Sequence, residues 1–493
     1  MKAILYVLPG LLTSLMASAQ PTALRLHPKN PHYFEYKGRP AIIVGSGEHY
    51  GAVINQAFDY RTYLQTLKVD GLNTTRLFTG AYFEVPGAFG IAKNTLAPSP
   101  DRLLLPWARS TTPGYALGGN KFDLSRWDEA YFTRLKDFLA EADRNGVIVE
   151  VNLFSSYYGA GWPHSPLNRS NNVNNVDSVA PKAVNTLGNG NLLAFQEQYV
   201  RKIVREVNRY DNLYFEIQNE PWADLSDTIL VYNEYSHRED PKSGYIHGAS
   251  LEVTAACSND WQRRVAAWIA DEERQLPKKH LIAQNISNFE YPIQNPDPNI
   301  SIFNFHYANP AAVTVNYYIG KAIGLNETGF AGRRDHTYRR QAWRFLMAGG
   351  SLFNHLDYSF SVGSETGRDT SYRAPGGGSP TLRRQLGVVK AYFDGLDLAT
   401  LKPDPALIQA APGLSAQVLA HGASQWIIYL EPRALKPSPL RLNLKRGAYQ
   451  VQWTDAVTGR SLKNETITVA GTGAHSLALP DGLTDWVLKL TKQ

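Results

Sequence analysis

The chain alternates short apolar runs of the β type with longer helical patterns from about residue 41 to residue 395. The first run, Ala41 to Val44, is apolar throughout, as expected of a parallel strand covered on both faces. Helical spacing of apolar residues follows between Phe58 and Val69. Seven more runs of the strand type begin near residues 72, 147, 212, 280, 301, 321 and 351. Eight strands that alternate with helices predict an α/β fold, a (β/α)8 barrel.

Predicted helices and long loops separate these strands. One helix is expected from Leu124 to Asn145, because Asp123 precedes it and Gly146 can cap its C-terminus. The segments 79–120 and 155–191, rich in Gly, Pro or Asn, are predicted as long loops after the second and third strands. A doubly wound open sheet is the alternative fold, but no Gly-rich nucleotide fingerprint follows the first strand. The other predicted helices are 192–209, 260–275, 338–348 and 381–393.

The pattern changes after residue 405. Short alternating runs, such as Gln425 to Tyr429 and Trp486 to Leu490, are separated by turn residues and show no helical spacing. They predict an antiparallel β-sandwich over 404–493, which follows a barrel domain over 20–400.

Residues 1–19 have the pattern of a secretory signal peptide. Lys2 precedes an apolar stretch, and Ala17-Ser18-Ala19 supplies the small residues of a cleavage site. We therefore expect a secreted or periplasmic protein. The single cysteine, Cys257, excludes an internal disulfide.

Composition narrows the possible partners. The formal charge is +6, and Lys and Arg are scattered without a run of five. That distribution disfavours nucleic acid and membrane surfaces as partners. Hydrophobic residues at 43% and aromatic residues at 11% supply a large core, so we expect a folded protein. We expect it to be a monomer.

Two glutamates stand at the predicted C-terminal ends of strands, where barrels place their active sites. Glu220 ends the fourth strand, in YFEIQNEPW, and Pro221 stops that strand because proline cannot donate to a ladder. Glu327 ends the seventh, in IGLNETG. Strands four and seven face each other across an eight-stranded barrel, so both carboxylates are expected in one cleft.

Asn219-Glu220-Pro221 at strand four with Glu327 at strand seven resembles clan A of the glycoside hydrolases, in particular the cellulase-like family 5 and its relatives. The resemblance covers about residues 40–395. It implies that Glu220 is the general acid/base, Glu327 the nucleophile and Asn219 a partner of the sugar 2-hydroxyl. The β-sandwich also resembles the collagen-binding-like C-terminal module of some clan A relatives.

The resemblance extends to other strand ends and implies a carbohydrate substrate. Arg76 at strand two and His306-Tyr307 at strand six match the pattern. A structural salt bridge is the alternative for Arg76, and a core position is the alternative for His306. The pattern differs at strand three, which ends in Asn152, and at strand eight, which ends in His355 to Tyr358. The remaining candidate substrate contacts fit packing roles equally well: His49, Asn152, Trp222, His355, Asp357 and Tyr358, with Tyr157, Tyr158 and Trp162 in the loops.

The chemistry of a retaining glycosidase requires two carboxylates about 5 to 5.5 Å apart. One attacks the anomeric carbon and the other protonates the leaving oxygen, without a cofactor. No metal site is expected, because the twelve histidines are dispersed and no His-Glu-x-x-His occurs. A Gly-x-Ser-x-Gly nucleophile elbow is also absent. A catalytically silent carbohydrate-binding protein on the same scaffold, or a structural surface protein, remains as an alternative.

Overall fold

The computed structural model describes residues 22–159, 161–229, 251–482 and 485–493. The predicted signal peptide, residues 1–19, lies outside the described residues. Within those ranges no helix combines the length and the apolar character that crossing a bilayer requires.

Eight parallel strands form one sheet that curls into a barrel, which confirms the predicted fold class. Along the sheet, strand one is followed by strands eight, seven, six, five, four, three and two. From here on these are barrel strands one to eight in chain order. They span Ile43–Gly47, Thr74–Phe78, Ile148–Ser155, Leu213–Asn219, Ile282–Asn288, Ile302–His306, Ala322–Glu327 and Leu352–Leu356.

Asn73 closes the barrel between strands one and two. Its backbone N–H donates to the carbonyl of Val44 at 3.1 Å, and its Oδ1 accepts from the Val44 N–H at 2.8 Å. Close approach inside the barrel also requires glycine at position 45. A Cβ there would lie 2.5 Å from Oδ1 of Asn354 and 2.6 Å from Cγ2 of Thr74.

Helices cover the outside of the barrel at most of the predicted places. The prediction for Leu124 to Asn145 was wrong at its start, because Asn120–Trp127 is a strand that pairs with Trp107–Pro113. The helix begins only after Asp128, whose side chain accepts from the N–H groups of its first turn. In the described ranges the α-helices are Tyr60–Val69, Glu129–Arg144, Gly161–His164, Leu192–Val207, Ala256–Glu273, Ala311–Thr314, Asp335–Met347 and Pro380–Asp394.

The barrel interior begins with an apolar layer at the N-terminal ends of the strands. Seven strands contribute one buried residue each, and Leu24 and Phe34 of a small N-terminal sheet pack against them. That sheet consists of Arg25–Leu26, Phe34–Tyr36 and Arg39–Ala41. The seven residues are Ile43, Ile148, Tyr214, Ala283, Ile302, Ala322 and Leu352.

A layer of buried polar side chains lies above the apolar layer, closer to the barrel mouth. Because side chains alternate along a strand, the inward-facing residue two positions later also points into the barrel. In strands three to six those positions carry Glu150, Glu216, Asn285 and Asn304 instead of the branched apolar residues that usually fill a barrel. Arg76 of strand two, and Asn152 and Asn326 two residues further along strands three and seven, contact Glu216 and belong to the same layer. We call this set the polar layer: Arg76, Glu150, Asn152, Glu216, Asn285, Asn304 and Asn326, all almost fully buried.

The C-terminal strands form two antiparallel sheets that enclose a separate apolar core, as predicted for a β-sandwich. The larger sheet consists of Leu401–Pro403, Leu414–His421, Gln425–Pro432, Gly447–Asp455, Ser461–Val469 and Trp486–Lys492. The smaller sheet consists of Ile408–Ala410, Leu440–Leu444 and Gly473–Leu477. A further antiparallel pair, Ser226–Ile229 with Leu251–Thr254, joins the end of barrel strand five.

The sandwich packs on the helix Asp335–Met347, which directly follows the strand that carries Glu327. Trp343 stacks on Tyr429 with ring centroids 5.6 Å apart, and its Nε1 donates to a backbone carbonyl of the sandwich at 3.1 Å. Arg339 and Arg340 pair with the buried carboxylate of Asp485 at 2.6 and 3.0 Å. The sandwich is thus joined to the barrel by apolar and ionic contacts on one helix.

Candidate active site

Glu220 lies one residue beyond barrel strand four, in a left-handed backbone conformation with φ 47° and ψ 57°. Its N–H donates to Oδ1 of Asn285 at 3.1 Å, and its carbonyl accepts from Oγ of Ser156 at 2.6 Å. Pro221 then starts a short 3-10 turn. These contacts hold Glu220 at the barrel mouth in a conformation that a non-glycine residue rarely adopts.

Among the described residues, His306 and Tyr158 bind the carboxylate of Glu220. Nδ1 of His306 lies 2.8 Å from its Oε1, and the hydroxyl of Tyr158 donates to its Oε2 at 2.5 Å. Burial and the Glu220 charge raise the pKa of Tyr158 well above its usual value, so this hydroxyl stays protonated. The Glu220 side chain is 16% exposed, which leaves it accessible from the cleft.

Glu327 receives three hydrogen bonds from three different parts of the barrel mouth. The hydroxyl of Tyr50 and Nη1 of Arg76 each donate to its Oε2 at 2.9 Å. The hydroxyl of Tyr307 donates to its Oε1, also at 2.9 Å. Burial and Glu327 raise the pKa of Tyr50 well above its usual value, so Tyr50 remains a donor. Charge-assisted bonds of this kind stabilise the ionised carboxylate.

The two glutamates face each other at short range, with His306 beside both. One oxygen of Glu220, one oxygen of Glu327 and a ring nitrogen of His306 all lie within 4.8 Å of one another. Nδ1 of His306 is 3.5 Å from Glu327, and Trp222 packs edge-on against the imidazole with centroids 5.2 Å apart. Three such ligand atoms could hold a cation, but Arg76 already places a positive charge against Glu327.

The polar layer supports Arg76 from below. Nε of Arg76 lies 2.7 Å from Glu150, and Nη2 contacts Glu216 and donates to Oδ1 of Asn219 at 2.8 Å. Burial and the charge of Glu216 raise the pKa of Glu150 well above its usual value, so Glu150 is protonated. Although burial opposes it, Arg76 and the surrounding donors lower the pKa of Glu216. Arg76 therefore lies between one ionised carboxylate in the core and one, Glu327, in the cleft.

A small cleft of about 380 Å³ opens above the two glutamates. Aromatic rings form most of its wall. His49 lies within 3.2 Å of both oxygens of Glu84. Burial alone would lower the pKa of His49, but the Glu84 carboxylate raises it above its usual value. The lining consists of His49, Tyr50, Phe78, Tyr82, Glu84, Phe89, Leu96, Tyr158, Asn219, Glu220, Tyr307, Glu327 and Phe330.

Four residues that line the cleft have positive φ although none is glycine. The values are 60° for Tyr50, 53° for Phe89, 47° for Glu220 and 51° for Tyr307. Each such residue costs of order 1 kcal/mol or more and persists only where its surroundings enforce it. Such strain clusters at functional sites, and here it concentrates at the barrel mouth.

The structure brings most of the predicted site residues to the cleft or directly beneath it. Glu220, Glu327, Asn219, Tyr307 and His49 line the cleft. Arg76 and His306 bind the two cleft glutamates directly, Glu327 and Glu220 respectively. Trp222 packs on His306, and Nδ2 of Asn152 donates to Glu216 of the polar layer at 2.7 Å.

The predicted residues of strand eight lie outside the cleft lining. His355 is buried, with Nδ1 3.0 Å from Oγ of Ser46, and burial lowers its pKa to about 4. Asp357 is held by Arg383 at 2.7 Å. Tyr358 is buried with its ring 6.1 Å from that of His49. Substrate contact by these three residues stays a prediction, and their contacts indicate that they support the wall of the barrel.

Several lining residues were not among the predicted site residues. Tyr50 follows His49 at the end of strand one, and this position at a strand end could have identified it as a site residue. Glu84 and Phe89 come from the long segment 79–120, and Phe330 from the loop after Glu327. Aromatic residues in a Gly/Pro-rich loop are a weak signal, because the sequence does not show which way such a loop folds.

Comparison with solved structures relates this architecture to known proteins. One neighbour, from Bacteroides vulgatus ATCC 8482 and described as a candidate glycoside hydrolase, aligns with a TM-score of 0.64 at 12% identity, over 97% of this chain and 83% of its own. A family 5 glycoside hydrolase from the same organism aligns with a TM-score of 0.59 at 13% identity, over 95% and 93%. This chain shares their fold. Its sequence matches no family model and none of the curated proteins.

Proposed function

We propose that the protein is a secreted retaining glycoside hydrolase in which Glu327 is the nucleophile and Glu220 the general acid/base. The observation that carries this proposal is the approach of the two carboxylates to within 4.8 Å across the cleft. That spacing fits direct attack by one carboxylate, whereas an inverting enzyme needs about 6.5 to 9.5 Å for an intervening water.

In the first step Glu327 attacks the anomeric carbon while Glu220 gives its proton to the oxygen of the leaving group. The three donors on Glu327 fix the direction of its carboxylate towards the cleft. In the second step Glu220, now ionised, accepts a proton from water, and that water releases the sugar from Glu327. His306 and Tyr158 contact Glu220 in the resting site and can stabilise it in both states.

A carbohydrate substrate is supported by the aromatic wall and by the fold shared with glycoside hydrolases. Aromatic faces suit the apolar C–H faces of sugars. Tyr82, Phe89 and Tyr158 enclose the cleft from the long segments 79–120 and 155–191, which favours binding of a terminal sugar and action at the end of a chain. Asn219, next to Glu220 and bound to Arg76, is placed to contact the sugar 2-hydroxyl in this proposal.

The test is a panel of aryl glycosides and polysaccharides with four forms of the protein: wild type, Glu327→Ala, Glu220→Ala and, as a control, Glu465→Gln on the sandwich surface. We expect Glu327→Ala to lower kcat/KM at least about 1,000-fold on every substrate. Glu220→Ala should retain the first step for 2,4-dinitrophenyl glycosides, because that leaving group needs no proton. The control should match wild type.

Other outcomes contradict parts of this assignment. Near-normal turnover by Glu327→Ala would exclude it as the nucleophile. Products of inverted anomeric configuration would exclude the retaining mechanism. Sugar binding without turnover on any substrate would identify a catalytically silent carbohydrate-binding protein instead.

A further inference from the structure

A second cavity of about 470 Å³ adjoins the catalytic cleft; we call it the side cavity. Tyr82, Glu84, Phe89 and Tyr158 line both spaces. The remaining described residues of its lining are Val85, Ala88, Gly159 and Gly161. The cleft and the side cavity are therefore neighbours at the barrel mouth that share these four residues.

The position of Tyr158 indicates that the side cavity lies on the side of the cleft where the leaving group would bind. Its hydroxyl donates to Glu220, and its ring also lines the side cavity. In the proposed reaction, Glu220 protonates the oxygen that joins the sugar to its leaving group. The leaving group must therefore lie on the Glu220 side of the cleft, which is the side that Tyr158 shares with this cavity.

The side-chain polar groups of the described lining already have partners inside the protein, and the Tyr82 hydroxyl binds the Glu84 carboxylate. The Tyr158 hydroxyl is bound to Glu220, and the Glu84 carboxylate is bound by His49 and by Nδ2 of Asn94. The N–H of Gly161 donates to the Tyr158 carbonyl at 2.8 Å. A sugar in this space would lose hydration at several hydroxyls without gaining equivalent bonds. An apolar group would have no such penalty.

The conformation of Phe89 is a second observation that indicates a ligand beside the side cavity. Phe89 is 37% exposed and has φ 53°, between two glycines with positive φ at positions 87 and 90. Its ring packs edge-on against Tyr158 at 5.3 Å and Phe330 at 6.3 Å. A strained backbone that holds an exposed aromatic ring over a cleft indicates a ligand contact, since neither exposure nor strain helps the fold.

We propose that the side cavity binds the leaving group and that this group is a flat, apolar aglycone, such as an aromatic alcohol, and not a second sugar. This inference rests on the proposed function. The glycosidic C–O bond breaks, Glu220 gives its proton to the aglycone oxygen, and the aromatic alcohol leaves. Water then supplies the hydroxyl of the free sugar and returns a proton to Glu220.

The kinetic test compares a 2-naphthyl glycoside, a glycosyl fluoride and a disaccharide of the same sugar and anomeric configuration. Val85→Asn changes the side cavity at a residue that does not line the cleft, and Leu435→Asn is the matched control at an exposed sandwich residue. We expect wild type to prefer the naphthyl glycoside to the disaccharide. Val85→Asn should lower the naphthyl-to-fluoride ratio of kcat/KM about tenfold, and Leu435→Asn should leave it unchanged.

A binding measurement with 2-naphthol alone separates this inference from the proposed function. Calorimetry should show binding to wild type and to Leu435→Asn, and about tenfold weaker binding to Val85→Asn. If this pattern is found but no glycoside is hydrolysed, the aromatic site stands and the hydrolase assignment fails. If glycosides are hydrolysed but the disaccharide is preferred, or Val85→Asn changes neither quantity, the inference is overturned and the hydrolase stands.

Discussion

Glu327 is bound by donors from separate segments, and each donor can be removed without removing the carboxylate. Tyr307 is the clearest case, because its hydroxyl is the donor to Oε1, whereas Tyr50 and Arg76 both donate to Oε2. A hydrogen bond to a charged group contributes about 1.5 to 3 kcal/mol. Loss of the hydrogen bond from Tyr307 should therefore lower kcat/KM more than it lowers the stability of the fold.

We expect Tyr307→Phe to lower kcat/KM about 10- to 100-fold while the melting temperature stays close to that of wild type. Tyr372→Phe is the control, because the Tyr372 hydroxyl donates to the Gly378 carbonyl and its ring does not line the cleft. Equal kinetic losses in both variants would show that Tyr307 acts only through packing.

His355 permits a prediction about pH. Burial lowers its folded-state pKa to about 4, below the unfolded value of 6.5. Its contribution to the free energy of unfolding is therefore fully present above pH 6.5 and is lost as the pH falls from 6.5 towards 4. The loss amounts to about 3 kcal/mol.

The check is denaturant unfolding of wild type and His355→Asn between pH 4 and 7. The difference in free energy between the two proteins should shrink as the pH falls through this window. A difference that is constant with pH would contradict a buried, neutral His355.

At the scale of elements, the polar layer shows how six of the barrel strands, two to seven, together orient Arg76. Glu150 and Glu216 are adjacent, but their partners differ. Glu216 accepts from four amides and Arg76, whereas Glu150 contacts Arg76 and accepts from one amide, that of Asn326, and from the Tyr214 hydroxyl. Protonated Glu150 resembles a glutamine in charge and shape. The same substitution should therefore have different effects at the two positions.

Glu150→Gln should change the free energy of unfolding by less than about 1 kcal/mol and leave the pH profile of kcat close to that of wild type. Glu216→Gln should cost about 3 to 5 kcal/mol, because it leaves the buried charge of Arg76 without its core partner and points an amide at other donors. It should also move the acidic limb of the kcat profile. Matching losses in both variants would refute the assigned protonation of Glu150.

The sequence predicted the barrel strands and the two cleft glutamates well, because strand periodicity and the Asn-Glu-Pro stop are local signals. It did not predict the polar layer, although Glu216 alternates with Phe215 and Ile217 in the strand pattern. Polar residues of different strands meet in one layer only if the strands are staggered appropriately along the barrel axis. That stagger is a property of the whole sheet and cannot be inferred from a single strand. The predicted helix start at Leu124 was wrong because Leu124 fits two patterns. It lies two residues after Phe122, as in a strand, and three residues before Trp127 and seven before Tyr131, as on one face of a helix.

At the scale of the whole molecule, the sandwich supports the helix Asp335–Met347 behind the strand of Glu327. Trp343 is fully buried in this contact. We expect Trp343→Ala to lower the free energy of unfolding by about 3 to 5 kcal/mol. Limited proteolysis should then release the sandwich from the barrel, whereas Leu435→Ala should leave the chain intact. Unchanged stability of Trp343→Ala would contradict a bracing role for the sandwich.

The central claim is that Glu327 becomes covalently bonded to the sugar. Intact-protein mass spectrometry after incubation with 2,4-dinitrophenyl 2-deoxy-2-fluoroglycosides tests it directly, because the fluorine slows release of the intermediate. We expect a mass gain of one fluorosugar, mapped by peptide analysis to Glu327 and absent from Glu327→Ala. A label on any other residue, or no label from the fluoro analogue of a sugar whose glycosides are hydrolysed, would contradict it.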